Sequence, residues 1–358
     1  MKQRKYLWIF MLAVFSRWLI FVLGWAASGR EVGFFTAIYE SFIKAGDTPH
    51  YLEIARNGYT AVGESRNLIV FFPLYPLLIR IVSVIVRNDF ISGLLIPNVC
   101  SGLGACFFYR LLRMDFTEEQ SCFGLFVCLL FPFSFFTAAV YTEGLFFLLT
   151  AAAFYAMRKK NWIAAAICGF LCALTRIQGL ALLPMFLYEL LRERDKKAVA
   201  AVIAPALGFF IYLLINRLVY GQWLMYLEFQ AAAPWYNRAQ WIGANLKQHY
   251  EMALEHPALS MYIYWVQLIL FFASVGAMFY GLRRRIRTSY IVYAGVYTAM
   301  TYFHGWQISG GRYMSMCLPL FIIAAAMENR IFKSLLLMVS VLFYTILAIL
   351  WMKGYAIM

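Results

Sequence analysis

Long apolar runs separated by short polar segments dominate the chain. The runs are too long and unbroken for alternating β-strands, so the pattern predicts membrane-spanning α-helices. A 15-residue helix covers only about 22 Å of a bilayer core of roughly 30 Å. We therefore expect 143–157, 161–175 and 178–191 to extend into polar flanks or to remain within the bundle. The runs are 6–28, 68–86, 90–112, 121–141, 143–157, 161–175, 178–191, 198–219, 259–282, 288–304, 312–327 and 333–352.

Composition agrees with this pattern. The chain is 63% hydrophobic and 13% charged, whereas a soluble domain carries about 25% charged residues. The formal charge of +14 would suit nucleic acid, but the basic residues form short clusters between apolar runs, as in cytoplasmic loops. We predict an all-α, multi-pass protein of the cell membrane, one domain over 1–358, with no nucleic-acid partner.

The basic clusters set the expected orientation. If every cluster is cytoplasmic, the run 68–86 cannot be a crossing, because counting it would place the clusters on opposite sides. That run contains Pro73, Pro76 and Arg80, which favour an outer-surface or re-entrant helix. The result is 11 crossings, a cytoplasmic N-terminus, and outer loops at 29–89, 221–258 and 304–311.

The most informative polar segment is GDTPHYLEIARNGY, which spans Gly46–Tyr59. Its Asp47 could accept a proton from a hydroxyl during group transfer. It could also be a helix N-cap, because Thr-Pro follows it directly. His50 and Tyr51 lie close enough in sequence to line the same site, whereas we expect Glu53 at the surface.

Two further charges interrupt apolar sequence. Glu143 begins a run of Phe and Leu, and Arg176 stands between two runs with Gln178 beside it. An arginine in such a place must find water, a carboxylate or a phosphate. Glu143 is therefore either a carboxylate of the site, a solvated helix end or the structural partner of Arg176.

The later loops combine aromatic and basic residues. In the loop from Gly221 to Pro257, Trp235 and Arg238 could hold a sugar and a phosphate, or Trp235 could be an interface anchor. His249 and His256 look like loop residues. In HGWQISGGRY, Gly310-Gly311 favour a tight turn, and a set of polar or aromatic side chains surrounds it: His304, Trp306, Gln307 and Arg312.

Several of these segments together resemble one family. GDTPHYLEIARNGY and FFPLYPLLIR resemble the first-loop region of the GPI mannosyltransferase 2 (PIG-V) family. PFSFFTAAVYTEGLFFLL, LTRIQG, GQWLMYLEFQAAAPWYNR and GGRYMSMCLPLF resemble its later motifs, in the same order. The resemblance implies a GT-C type fold, a lipid-linked sugar donor and a catalytic role for Asp47. Gly46 and His50 depart from it, because they stand where the family pattern has Trp.

We therefore expect an inverting hexosyltransferase that moves a monosaccharide such as mannose from a polyprenyl-phosphate donor to a lipid or glycan acceptor. Asp47 would be the general base, and Arg312, Arg176 and Arg238 would hold the donor phosphate. A divalent metal remains an option, although Asp47 has no second ligand nearby. The rival hypotheses are a transporter or flippase for an anionic lipid or solute, and a non-catalytic scaffold. The expected substrate-binding residues are His50, Tyr51, Glu143, Gln178, Trp235, His304, Trp306 and Gln307.

Overall fold

A computed structural model describes residues 2–44, 46–256, 263–305, 308–355 and 357. This part of the chain is helical and contains no strand, so the predicted all-α class is confirmed. In chain order the α-helices are α1 (Lys2–Ser28), α2 (Phe34–Lys44), α3 (Thr48–Asn57), α4 (Leu74–Val86), α5 (Asp89–Leu112), α6 (Glu118–Leu129), α7 (Glu143–Arg158), α8 (Trp162–Thr175), α9 (Leu182–Glu193), α10 (Val199–Tyr220), α11 (Met225–Ala231), α12 (Ile242–Glu255), α13 (Trp265–Arg283), α14 (Thr288–Tyr302), α15 (Gly310–Met314), α16 (Leu318–Ala325) and α17 (Arg330–Met352).

Several of these helices have the length and composition of membrane spans. Within the described ranges, five are long and apolar enough to cross a bilayer, or six if one bent pair counts as a span. The helices between them are shorter, and α8 and α9 have only 14 and 12 residues. The architecture is that of a membrane protein. The five segments are Arg4–Ser28, Asp89–Leu112, Lys196–Tyr220, Trp265–Arg283 and Arg330–Met352.

The bent pair is the run that the charge pattern excludes as a simple crossing. A short 3-10 helix, Glu64–Val70, meets α4 at an angle of 113°. The break comes where Pro73 lies, directly before α4, because proline cannot supply the amide that a continuous helix needs. Arg80 on α4 donates from Nε to the carbonyl of Ala55 at 2.7 Å and from Nη2 to that of Arg56 at 2.8 Å. It thereby fixes the C-terminal end of α3.

Helix packing holds the broken helices in place. α5 packs against α1 and α7, α8 packs against α10, and α14 packs against α9 and α13. A separate aromatic cluster includes Phe21, Phe42, Phe136 and Trp351. Phe42 and Trp351 have ring centroids 4.6 Å apart, and Phe136 contacts Tyr141 at 5.1 Å. This cluster therefore supports the segment that precedes α7.

A buried arginine in α1 secures the same segment. Arg17 is only 1% exposed and donates to the carbonyl of Ala13 at 2.8 Å and to Oγ1 of Thr137 at 3.0 Å. Thr137 belongs to a 3-10 helix, Ser134–Ala138, shortly before α7. In the sequence, Arg17 is a single charge within the apolar run 6–28. The structure shows that it ties α1 to the break between α6 and α7.

The basic loops meet at one end of the bundle. Their arginines and lysines pair with acidic residues in neighbouring loops and helix ends, so these segments are adjacent in space. α7 links this end to the other, because Glu143 begins the helix and Arg158 ends it, roughly 24 Å apart along the axis. The pairs are Lys5–Glu118, Arg158–Asp115, Lys160–Glu193, Arg284–Glu328 and Arg287–Glu189.

Candidate active site

A cavity of about 380 Å³ lies at the end of the bundle that carries Glu143. It collects side chains from segments that are far apart in sequence: the start of α3, the turn after α8, the loop after α11, the loop after α14, and α15. This cavity is the candidate active site. The residues expected from the sequence that line it are Asp47, His50, Tyr51, Arg176, Gln178, Trp235, His304 and Arg312.

Asp47 stands where an N-cap would stand but does not cap the helix. α3 begins at the next residue, and the Asp47 side chain makes no capping hydrogen bond. Instead its Oδ2 accepts from Nη1 of Arg312 at 2.7 Å, and the side chain is 22% exposed. The Asp47 amide donates to the hydroxyl of Tyr141 at 3.1 Å. The carboxylate is therefore directed into the cavity.

Gly46 is required for this arrangement. Its φ is +81°, and a Cβ built there would lie 1.8 Å from the Tyr141 hydroxyl. Both the left-handed backbone and the close approach favour glycine.

Glu143 lies behind the cavity wall, where it contacts both arginines. It is 1% exposed, and its Oε1 accepts from Nη1 of Arg176 at 2.7 Å. The same oxygen lies 3.2 Å from Nε of Arg312, as an ion pair without hydrogen-bond alignment. Of the three roles that the sequence left open for Glu143, its contacts match that of the structural partner of Arg176. Its second contact, to Arg312, was not expected.

Two tyrosines complete the surroundings of the arginines. The Arg176 guanidinium lies 4.3 Å from the ring centre of Tyr313, and that of Arg312 lies 4.9 Å from the ring centre of Tyr141. At this separation an aromatic face attracts a cation. Neither tyrosine was among the expected site residues. The sequence could have identified both tyrosines by their positions next to charged residues. Tyr313 follows Arg312, and Tyr141 closely precedes Glu143.

The four charged groups form a charge-balanced cluster in which only Asp47 is partly exposed. We call it the charge quartet: Asp47, Glu143, Arg176 and Arg312. Its two carboxylates match its two guanidinium groups in formal charge. Removing charges from water costs several kcal/mol per ion, which ion pairing recovers only in part. Clusters of this kind tend to mark functional sites when they line a cavity.

An aromatic wall closes one side of the cavity. The ring of His50 lies 5.1 Å from that of Phe71 and 6.0 Å from that of Trp235, and Tyr51 packs 5.1 Å from Phe71. Burial lowers the pKa of His50, and the nearby Asp47 carboxylate only partly opposes that effect. His50 is therefore mainly neutral at pH 7.

The loop after α11 joins the loop after α14 through backbone contacts. Ala239 and His304 form an isolated antiparallel bridge, and the amide of Gly305 donates to the carbonyl of Arg238 at 2.6 Å. Burial lowers the pKa of His304. The Arg238 side chain is exposed and does not line the cavity. Trp306 and Gln307 lie outside the described residues.

Two local expectations are corrected. Gly310 and Gly311 begin helix α15 rather than a tight turn. Only glycine fits at these positions because neighbouring side chains pack closely against the backbone. A Cβ added at Gly310 would lie 2.0 Å from Oε1 of Gln267, and one added at Gly311 would lie 2.4 Å from the Phe133 ring. His249 is buried within α12 rather than in a loop, because the long loop after α10 contains its own helices.

The chemistry that this site can support follows from its groups. A carboxylate that can accept a proton lies beside two guanidinium groups that can hold an anion. Within the described ranges, no three His, Cys, Asp or Glu side chains come together as a metal site. No protein-family model matches the chain, and no curated protein sequence matches it.

Proposed function

We propose that this protein is a membrane glycosyltransferase that moves a monosaccharide such as mannose from a polyprenyl-phosphate donor to a lipid or glycan acceptor. One observation carries the proposal: Asp47 shares a cavity with Arg176 and Arg312, and Arg312 contacts it directly. The ordered motifs that resemble the GPI mannosyltransferase 2 family support the same donor class and a GT-C type fold.

The proposed location of the reaction is the outer face of the cytoplasmic membrane. The basic loops gather at the end of the bundle away from the cavity, and such loops are typically cytoplasmic. The accompanying topology has 11 crossings and a cytoplasmic N-terminus. The shorter helices then cross only as part of the protein bundle, where polar backbone can be shielded from lipid.

The arginines would bind the donor phosphate. Arg312 is 6% exposed and Arg176 is 7% exposed, yet both line the cavity. A guanidinium in a poorly hydrated site binds phosphate through strong, directional hydrogen bonds. Glu143 keeps both arginines oriented from behind, which leaves their remaining N–H groups for the ligand.

Donor binding would also release the base. Arg312 Nη1 donates to Asp47 Oδ2 at 2.7 Å, and a phosphate arriving at Arg312 competes for that donor. Once the phosphate holds the guanidinium, the Asp47 carboxylate can turn to an acceptor hydroxyl. Asp47 therefore becomes an effective base only when a donor is present, which limits wasteful reactions.

The reaction would be a single displacement with inversion. The acceptor oxygen attacks the anomeric carbon of the sugar while Asp47 takes the hydroxyl proton. The bond between that carbon and the phosphate oxygen breaks, and its electron pair stays on the polyprenyl phosphate. The added negative charge on the phosphate is stabilised by Arg176 and Arg312. The wall formed by His50, Phe71 and Trp235 would lie against the sugar.

The test is a transfer assay with purified protein in nanodiscs. Polyprenyl-phosphate mannose or glucose, labelled in the sugar, is incubated with a panel of alkyl and methyl glycosides. We expect label on a glycoside and release of unlabelled polyprenyl phosphate. Failure to transfer label from either donor, with movement of intact donor between leaflets of proteoliposomes, would instead establish a flippase.

A flippase would use the same arginines as a path for an anionic lipid. It does not need a base, so its lipid movement would survive Asp47→Asn. A glycosyltransferase does need the base, so Asp47→Asn would stop transfer while the protein still inserts and binds the donor. The paired assays on this variant separate the two functions.

A further inference from the structure

A second cavity adjoins the first across the aromatic wall. It has a volume of about 500 Å³ and lies between α2, α3, the 3-10 helix before α4 and the loop after α11. The two cavities share His50, Pro234 and Trp235 in their linings. Contact with both cavities places these side chains between two neighbouring spaces, as expected for an enzyme that brings two substrates together.

Helix α3 connects the two cavities. Asp47 precedes its first residue and lines the first cavity, whereas Pro49, Leu52, Glu53 and Arg56 line the second. These four residues repeat at intervals of three and four, which places them on one face of the helix. Glu53 lies roughly 9 Å along the helix axis from Asp47. At 3.6 residues per turn Asp47 lies on a different face of α3, so a ligand in the second cavity would reach its carboxylate past the shared side chains of His50 and Trp235.

The polar groups of the second cavity suit hydroxyls better than an anion. Asn57 Nδ2 and Ser65 Oγ both donate to Oε1 of Glu53, at 2.8 Å and 3.3 Å. Oε2 of Glu53 can then accept from a ligand, since a carboxylate has about four acceptor positions. Glu64 adds a second carboxylate to the lining.

The one arginine of this lining is already neutralised. Arg56 forms an ion pair with Asp89. The two carboxylates of the lining, Glu53 and Glu64, therefore give the second cavity a net negative formal charge. A phosphate would be repelled by the two carboxylates, whereas sugar hydroxyls would donate to them. The first cavity has the opposite character, because its arginines favour the anionic donor.

We propose that the second cavity binds a saccharide acceptor, with Glu53 accepting hydrogen bonds from its hydroxyls. This assignment rests on the proposed glycosyltransferase function. The acceptor enters between α2 and α3, and its reacting hydroxyl passes the edge of His50 and Trp235 to reach Asp47. Glu53 is thus a specificity-determining residue at a half-exposed position in the lining of the second cavity.

The test uses Glu53→Gln, with Glu251→Gln as a matched control on α12. Glu251 is 53% exposed and pairs with Lys247, away from both linings. Binding of methyl glycosides of mannose, glucose and galactose is followed by saturation-transfer NMR in nanodiscs. We expect about tenfold weaker binding of the preferred glycoside by Glu53→Gln, since one hydrogen bond to a charged group is lost. Glu251→Gln should bind it as the wild type does.

A second variant covers the case in which Glu53→Gln does not fold. Asn67→Trp fills the cavity from another lining position and should also weaken glycoside binding. In the transfer assay, both variants should raise KM for the acceptor about tenfold and leave KM for the donor unchanged.

The outcomes separate this proposal from the proposed function. If sugar is transferred but neither variant changes glycoside binding or the acceptor KM, the acceptor site is elsewhere and the transferase function stands. If glycosides bind in a Glu53-dependent way but no donor is consumed, the saccharide site stands and the transferase function is wrong. Wild-type binding by both variants overturns the saccharide site in either case.

Discussion

The two ends of α7 carry the same kind of charge pair in opposite surroundings. At its start, Glu143 is 1% exposed and contacts Arg176 and Arg312 inside the bundle. At its end, Arg158 pairs with Asp115, whose side chain is 39% exposed. Two other pairs at that end are more open still, with Glu118 65% exposed and Glu328 68% exposed, whereas Glu189 is 1% exposed in its pair with Arg287.

The difference indicates which charges are present for function. Exposed ion pairs contribute little to stability and mainly keep the basic loops solvated. A buried cluster is costly to form, and apolar residues of similar volume would stabilise a fold at least as well. We therefore interpret the charge quartet as the functional part of the molecule, and the ion pairs at the basic end as contacts that order the loops there.

The largest expected effect comes from breaking the charge quartet at Glu143. Glu143→Gln leaves two buried guanidinium groups with one carboxylate, which should lower the free energy of unfolding by about 3–5 kcal/mol. Steric trapping in bicelles measures that free energy. Glu328→Gln removes a carboxylate from an exposed pair at the other end and should cause no resolvable change. Equal losses in the two variants would contradict the contrast between the ends.

The next effect separates charge from geometry at Arg312. A lysine keeps the charge but cannot reach Asp47 and Glu143 together, because it lacks the planar fork of arginine. We expect Arg312→Lys to lower the transfer rate by about 10²–10³-fold. Arg284→Lys, at the basic end, should retain the wild-type rate. Retention of full activity by Arg312→Lys would show that the phosphate is held elsewhere.

A smaller effect is expected at Gly46. Gly46→Ala combines the left-handed φ with a clash against Tyr141, which should lower the free energy of unfolding by about 1–3 kcal/mol. Gly63→Ala is the matched control, because its φ is +76° and no atom lies within 4 Å of the added Cβ. It should cost about 1 kcal/mol. If Gly63→Ala lowered the free energy of unfolding as much as Gly46→Ala, the clash with Tyr141 would contribute nothing to the effect at Gly46.

The smallest effect is the pH dependence due to His50. Its pKa in the folded protein is lowered by burial, so the unfolded chain binds the proton more readily as the pH falls. Folding stability should therefore decline as the pH drops through about 6.5, the usual histidine pKa. His50→Gln should reduce that decline in denaturation series from pH 7.5 to 5.5. An unchanged acid slope would exclude His50 as a contributor.

The sequence predicted local features well. Apolar runs gave the helical class, and Pro73 gave the break before α4, because both follow from short-range backbone chemistry. Thr48-Pro49 correctly indicated that a helix begins after Asp47. Polar residues in apolar surroundings also predicted eight of the side chains that line the cavity.

Remote contacts were not readable from the sequence. Nothing local indicates that Arg312, rather than the α3 amides, holds Asp47, or that Glu143 contacts two arginines. Gly310 and Gly311 suggested a turn because glycine permits one, whereas the real constraint is packing against Gln267 and Phe133. Arg17 was hidden in an apolar run, since its partner outside α1, Thr137, is 120 residues away in the sequence. Such constraints appear only when distant segments are brought together.

The most direct test of the account is the rate of sugar transfer in a single turnover with donor already bound. We expect Asp47→Asn to slow this step by at least about 10²-fold, while the affinity for polyprenyl-phosphate mannose or glucose remains within a few-fold of the wild-type value. Transfer by Asp47→Asn at the wild-type rate would contradict the assignment of Asp47 as the base, however well the donor binds.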